Sequence, residues 1–400
     1  MVCRIGYRIC LNIMSDCIFF GLGLKSNKET NDFLRCLWSR MEIVFGKLAW
    51  MYSPLRVSNT ILVGQASIGK NELLDVRIHY KQRGCLSSIE FRPLYDADVT
   101  KLKSLLKQCI FEAQRHEEYQ EERYGQGKLD KNVSFRKREG KNFELKGNTL
   151  LLKVCGYDEK DCATLFKAQL HQVCNVLSFD TLKYVSMGAT LTETIREKHN
   201  FRTRLINSET GKVTSEIENN GMYRNLELSD SMATYIDAYL GRPYGYEEHF
   251  TNFDKSVQLF SQALRNEELS WIATGLPEPY TELAIVNYMS ALEVVTLGDK
   301  EPVTCKYCGQ MTYSIARRVT DLAEKTFHGF DGFVKDYYND RSKYVHTGAL
   351  LSSNSYVGKS IPLMSIGKNS KTGMITQVGR VQPELKEMVK ACIEWHEANR

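Results

Sequence analysis

Residues 161–177 read DCATLFKAQLHQVCNVL, and here the period of the chain changes. The apolar residues of this stretch return at helical spacing, whereas those before it alternate. In LLDVRIHYKQRG (residues 73–84), Val76, Ile78 and Tyr80 alternate with Arg77, His79 and Lys81, as in a half-buried strand. FELKGNTLLLKV (residues 143–154) predicts a hairpin turning at Lys146-Gly147-Asn148. Between these, the pattern predicts a helix around Val99–Tyr124 and a loop over the polar run GQGKLDKNVSFRKREGK (residues 125–141). Beyond residue 177, SFDTLKYVSMGATL is strand-like, Asn207–Lys212 is a second hairpin candidate, and Asp230–Leu240 is helical. Five helices follow: Asn252–Thr274, Tyr280–Leu297, Thr312–Phe327, Gly332–His346 and Glu384–Ala398. Ile285, Met289, Leu292 and Val295 form an apolar stripe on the second of them. The expectation is an α+β protein: a β-rich domain over 1–160, a mixed α/β connecting region over 161–250 and a helical domain over 251–400.

Composition sets bounds without naming a chemistry. The 400 residues are 42% hydrophobic and 25% charged, enough to bury real cores in two or three domains. A net charge of +5 permits an anionic partner without requiring one. Twelve cysteines in no disulfide-like framework predict reduced thiols and a cytoplasmic protein. The apolar run Cys17 to Leu24 is too short to span a bilayer, so no membrane partner is expected.

TILVGQASIGKNELL (residues 60–74) imitates a phosphate-binding loop, with Gly64 and Gly69-Lys70 correctly spaced after a strand. Asn71 stands where Ser or Thr should hold magnesium, and the strand VRIHY follows too soon for the helix that would receive phosphates. The expectation is a surface hairpin, not a nucleotide triphosphatase.

The functional reading comes from NYMSALEVVTLG (residues 287–298) and YYNDRSKYVHTG (residues 337–348). Together they resemble the Apea-like branch of the HEPN superfamily over roughly Phe253 to Arg400. That family's signature is an arginine, a polar residue, three variable residues and a histidine. Arg341-Ser342-Lys343-Tyr344-Val345-His346 fits it, with Ser342 where typical members have asparagine. The resemblance implies a HEPN-like α-helical bundle and a metal-independent endoribonuclease of the toxin or antiviral-defence kind, or else a catalytically silent dimerisation or nucleic-acid-binding module. It implies Arg341 and His346 as catalytic residues, supported by Ser342, Tyr344 and Glu293, with Glu293 orienting an arginine. A solvent-facing Glu293 is the alternative. It also implies RNA (transfer RNA included) as partner, and a homodimer whose two motifs line one cleft.

The chemistry suits those side chains. RNA carries its own nucleophile, the 2′-hydroxyl, so the protein needs a proton carrier and a cation for the charge building on phosphate. Histidine and arginine supply these, and no metal or other cofactor is required. Five residues along a helix turn about 140°, so Arg341 and His346 do not share a face. From Arg341 to Pro383 there is no acidic residue, while Lys343, Lys359, Lys368 and Lys371 are basic, which predicts either RNA contacts or a solvated excursion. Cys305 and Cys308 have zinc-knuckle spacing and could complete a structural zinc site with Cys392 and His396. Plain reduced cysteines are the alternative. The N-terminal half carries no motif and is expected to sense a trigger or restrain the nuclease.

Overall fold

The structure, a computed structural model, describes residues 17–68, 72–82, 84–188, 205–206, 213–214, 223–242, 250–272, 280–298, 315–329, 331–347, 363–364, 374–375 and 383–400. It is a mixed α+β protein with sheets in the N-terminal part and helices in the C-terminal part. Two units make up the chain. One comprises Met1–Arg123, Cys155–Leu165 and Pro243–Tyr246; the other comprises Tyr124–Val154, Phe166–Arg242 and Glu247–Arg400.

In the first unit the chain runs β1 (Ile18–Gly21), α1 (Asn27–Phe45), β2 (Ala49–Val57), β3 (Thr60–Ile68), β4 (Glu72–Gln82), β5 (Cys85–Pro93) and α2 (Val99–Gln114). The strands form an antiparallel sheet of order β1-β5-β4-β3-β2. Alternation in β4 buries Leu74 and Val76 completely, against Phe33, Leu37 and Met41 of α1 and Leu106 of α2 in one core. Each such side chain contributes about 1.5–3 kcal/mol through burial. Ser26 starts α1 by accepting the Glu29 N–H, and Asp98 starts α2 by accepting that of Lys101. The imitation phosphate loop is a hairpin: β4 begins at Glu72, paired with Ile68, so no helix follows the glycines. The expected helix 99–124 is shorter. It stops at Gln114, a 3₁₀ turn covers His116–Tyr119, and a strand begins at Glu121.

That strand, β6 (Glu121–Lys128), is followed by β7 (Val133–Glu139), β8 (Phe143–Gly147) and β9 (Thr149–Gly156). The expected loop over 125–141 is therefore two strands. Gly125 and Gly127 read as loop residues, but they are where the sheet lies against a helix. A Cβ on Gly125 would sit 2.1 Å from the Phe166 ring, and one on Gly127 would sit 2.7 Å from Leu170. The expected hairpin between β8 and β9 is present: Lys146 pairs with Thr149, and Gly147 takes φ +60.

The helix under these glycines is α3 (Glu159–Thr181), which absorbs Ser178–Thr181 from the interval expected to be strand-like. Two short paired strands, β10 (Leu205–Ile206) and β11 (Val213–Thr214), flank the hairpin candidate 207–212, which lies outside the described residues. β12 (Tyr223–Leu226) adds in parallel to β7, completing the order β12-β7-β8-β9-β6.

Helices α4 (Asp230–Leu240), α5 (Asn252–Ile272), α6 (Tyr280–Val295), α7 (Ile315–Thr326) and α8 (Asp331–Thr347) follow; after the short strands β13 (Leu363–Met364) and β14 (Met374–Ile375), α9 (Pro383–Ala398) ends the chain. Aromatic rings at 5.1–5.8 Å carry the packing from Phe179 of α3 through Phe253 and Phe260 of α5, and Tyr288 of α6 continues it at 5.2 Å from Phe260. Thr251 and Asp254 cap α5 reciprocally, and the fully buried Asp254 carboxylate also takes Arg242 at 2.7 Å. α6 buries Ile285, Met289, Leu292 and Val295, the expected stripe, and contacts α5, α7, α8 and α9. It is the central helix of this group. Among the described residues no helix is long and apolar enough to cross a membrane.

Candidate active site

One carboxylate stands out on α6. Glu293 sits near the C-terminal end of this helix, half-buried, and faces α8. Its Oε2 accepts from Arg341 Nη2 at 2.8 Å, and its Oε1 accepts from the Tyr338 hydroxyl at 2.7 Å. Tyr338 and Arg341 are three apart on α8, so one helical face presents both, and the guanidinium lies 5.4 Å from the phenol ring centroid. With side chains 15% and 19% exposed, Glu293 and Arg341 form a largely desolvated pair.

Burial raises the Tyr338 phenol to about 12, helped by its hydrogen bond to Glu293 and that carboxylate's charge, and opposed by Arg341 and Arg318. Tyr338 therefore stays protonated and donates. With one oxygen given to each donor, Glu293 is placed to hold rather than to abstract a proton. Arg341 Nε is buried with no acceptor among the described residues.

Arg318, on α7, brings a second guanidinium to the cluster. Its Nη1 donates to the Thr296 carbonyl at 3.2 Å, satisfying an oxygen at the C-terminal end of α6. The cluster thus holds two guanidinium groups and one carboxylate.

The other expected site residues fall differently. His346 lies in the last turn of α8, which stays helical through Thr347, so the 140° offset from Arg341 is kept; its side chain lies outside the described residues. Ser342 and Tyr344 are half-buried on the same helix. The side chain of Lys343 lies outside the described residues, as do Lys359, Lys368, Lys371, Cys305 and Cys308. Cys392 and His396 are both buried on α9, and burial pushes the Cys392 thiol up to about 11, away from the thiolate that binds metal. Among the described residues no group of three or more His, Cys, Asp or Glu could hold a metal ion.

Sequence reasoning missed Tyr338 and Arg318. The first had a signal, since i−3 from an arginine is the same helical face. The second had none, because which turn of α7 meets the C-terminal end of α6 depends on how the helices pack. The chain matches no family model, no curated protein and no solved structure.

Proposed function

We propose that this protein is a metal-independent endoribonuclease of the HEPN type, a cytoplasmic defence or growth-arrest effector with its centre at Arg341 and His346. The observation that carries this reading is the Glu293–Arg341 pair at 2.8 Å, which holds the motif's arginine against α6, five residues before the motif's histidine. In the proposed reaction His346 takes the proton of a ribose 2′-hydroxyl as its oxygen attacks the adjacent phosphorus. The bond to the 5′-oxygen breaks, a proton returns to that leaving oxygen, and the products are a 2′,3′-cyclic phosphate and a 5′-hydroxyl. Arg341 stabilises the charge that builds on the phosphate oxygens, and Glu293 with Tyr338 orients it. The test is incubation of purified protein with total RNA in EDTA, then mapping of the ends. Cyclic-phosphate and 5′-hydroxyl ends are expected; intact RNA overturns the reading.

The same ion pair favours a second reading. An arginine already balanced by a carboxylate is also what a silent dimerisation or RNA-binding module would keep for stability, and Ser342 in place of asparagine points the same way. A His346→Ala variant separates the two: an enzyme loses cleavage, while a scaffold has none to lose. A structural zinc on Cys305 and Cys308 belongs to the proposal as an accessory. Near-stoichiometric zinc in purified protein, lost in Cys305→Ser, is expected; metal-free protein with unchanged melting removes it.

A further inference from the structure

The geometry points to Arg318 as the cation that gives this site its attraction for an RNA phosphate. The inference rests on the reading above for its ligand, but it reaches a residue outside the motif. Arg341 is the obvious phosphate ligand at contact, yet at longer range its charge is offset by Glu293 at 2.8 Å. A phosphodiester approaching Arg341 also approaches that carboxylate, and from a few ångströms away the attraction and the repulsion nearly cancel. Net attraction at this site requires a further cation.

Arg318 meets that need. The other half-buried arginines described in its unit each meet a carboxylate: Arg138 pairs with Asp230, Arg242 with Asp254, and Arg341 with Glu293. Arg318 has no carboxylate partner among the described residues; its hydrogen bond goes to the neutral Thr296 carbonyl. It lies close enough to Tyr338 for its charge to hold that phenol down, so it shares the cluster's field. It is half-buried, so the guanidinium is partly desolvated and reachable at once. The bond to Thr296 fixes one end of the fork, and little further side-chain ordering is needed when the remaining N–H groups meet phosphate oxygens. Counting Glu293, Arg341 and Arg318 together, the cluster is positive because of Arg318 alone.

The test uses the full chain and a fluorescent 2′-O-methyl oligoribonucleotide, which keeps the phosphates but lacks the nucleophile. Arg318→Gln preserves a donor for Thr296 while removing the charge, and Arg318→Lys preserves the charge without the fork. Arg317→Gln removes the same charge from the neighbouring, exposed position on α7. Losing one charge-assisted contact should weaken Arg318→Gln binding roughly tenfold. The slope of log affinity against log salt should flatten by about 0.7. Arg318→Lys should keep the parent's slope, and Arg317→Gln should match the parent in both. Equal losses in the Arg317 and Arg318 variants, or parental binding by Arg318→Gln, overturn the inference. Cleavage of unmodified RNA, run in parallel, separates it from the broader reading. A parent that cuts RNA while Arg318→Gln binds normally leaves the ribonuclease standing without this residue. A parent that binds through Arg318 but never cuts leaves the residue standing without the ribonuclease. A parent that neither binds nor cuts removes both.

Discussion

Glu293 gives one oxygen to Arg341 and the other to Tyr338, so each donor can be removed separately and the consequences differ. Tyr338→Phe deletes a single hydrogen bond and should lower cleavage five- to tenfold with little change in KM, about 1 kcal/mol of lost orientation. Glu293→Ala strands the Arg341 guanidinium in a mostly desolvated place and should cost about 1–3 kcal/mol of stability, read by urea denaturation. His346→Ala should abolish cleavage while leaving the melting curve intact, and Arg341→Lys should also fail because a point charge cannot reproduce the planar fork. Parental cutting rates in either variant would remove the motif from the mechanism. The phenol adds a pH dependence of definite sign. Folding raises Tyr338 from 10.0 to about 12, so the protonated form is favoured by the native state. That contribution is complete below pH 10 and is lost as pH rises through about 12. Tyr157, Tyr235 and Tyr288 are raised too, so the parent should lose stability over this range and Tyr338→Phe should lose measurably less. Parallel alkaline curves for parent and variant would show that the phenol is not held as described.

The strand β6 and helix α3 meet through two glycines, and this contact explains both what the sequence reveals and what it hides. Gly125→Ala would put a methyl group 2.1 Å from the Phe166 ring, and something must move. The expected loss is about 2–3 kcal/mol by denaturant unfolding, typical of forced overpacking. Gly125→Ala combined with Phe166→Leu should recover part of it, since the smaller side chain makes room; additive losses would place the strain elsewhere. Glycine is a reliable loop signal only where its backbone freedom is in use. At Gly147 it is, with φ +60, and the hairpin was legible. At Gly125 and Gly127 the glycines serve close approach, which no local pattern encodes, and 125–141 reads as a loop although Val133 and Phe135 are buried in the sheet. The C-terminal helices were legible almost to the residue: α4 spans Asp230–Leu240 as expected, and the others end within a few residues of their periodic runs. The Glu293–Arg341 meeting could be anticipated only through the family resemblance, because the two residues are 48 apart in sequence. Arg318 could not be anticipated at all, since the packing of α7 on α6 is a tertiary fact.

The remaining question is how one phosphate can reach both Arg341 and His346. α8 is helical through Thr347, so the two positions stay about 140° apart around its axis. Arg341 cannot swing freely round to close that gap, because Glu293 tethers its Nη2. A single subunit therefore presents arginine and histidine positions in different directions, and one straight helix does not converge them. Two subunits related by a twofold axis, the commonest oligomeric symmetry, can set the arginine of one against the histidine of the other. Activity should then require a dimer. Subunit mixing tests it directly, with differently tagged Arg341→Ala and His346→Ala chains co-expressed and the mixed dimers purified or left in the statistical pool. Each homodimer is dead, but a mixed dimer keeps one intact arginine and one intact histidine on opposite chains, and so rebuilds one of two trans sites. With random pairing half the dimers are mixed, so the pool should recover about a quarter of parental activity, and purified mixed dimers about half. A cis arrangement predicts no recovery, because no chain in the mixture carries both residues. A silent pool with confirmed subunit exchange would sink the composite site. So would full specific activity from protein that sedimentation shows to be monomeric at assay concentration, and convergence would then have to come from a bend in α8 near its C-terminal end.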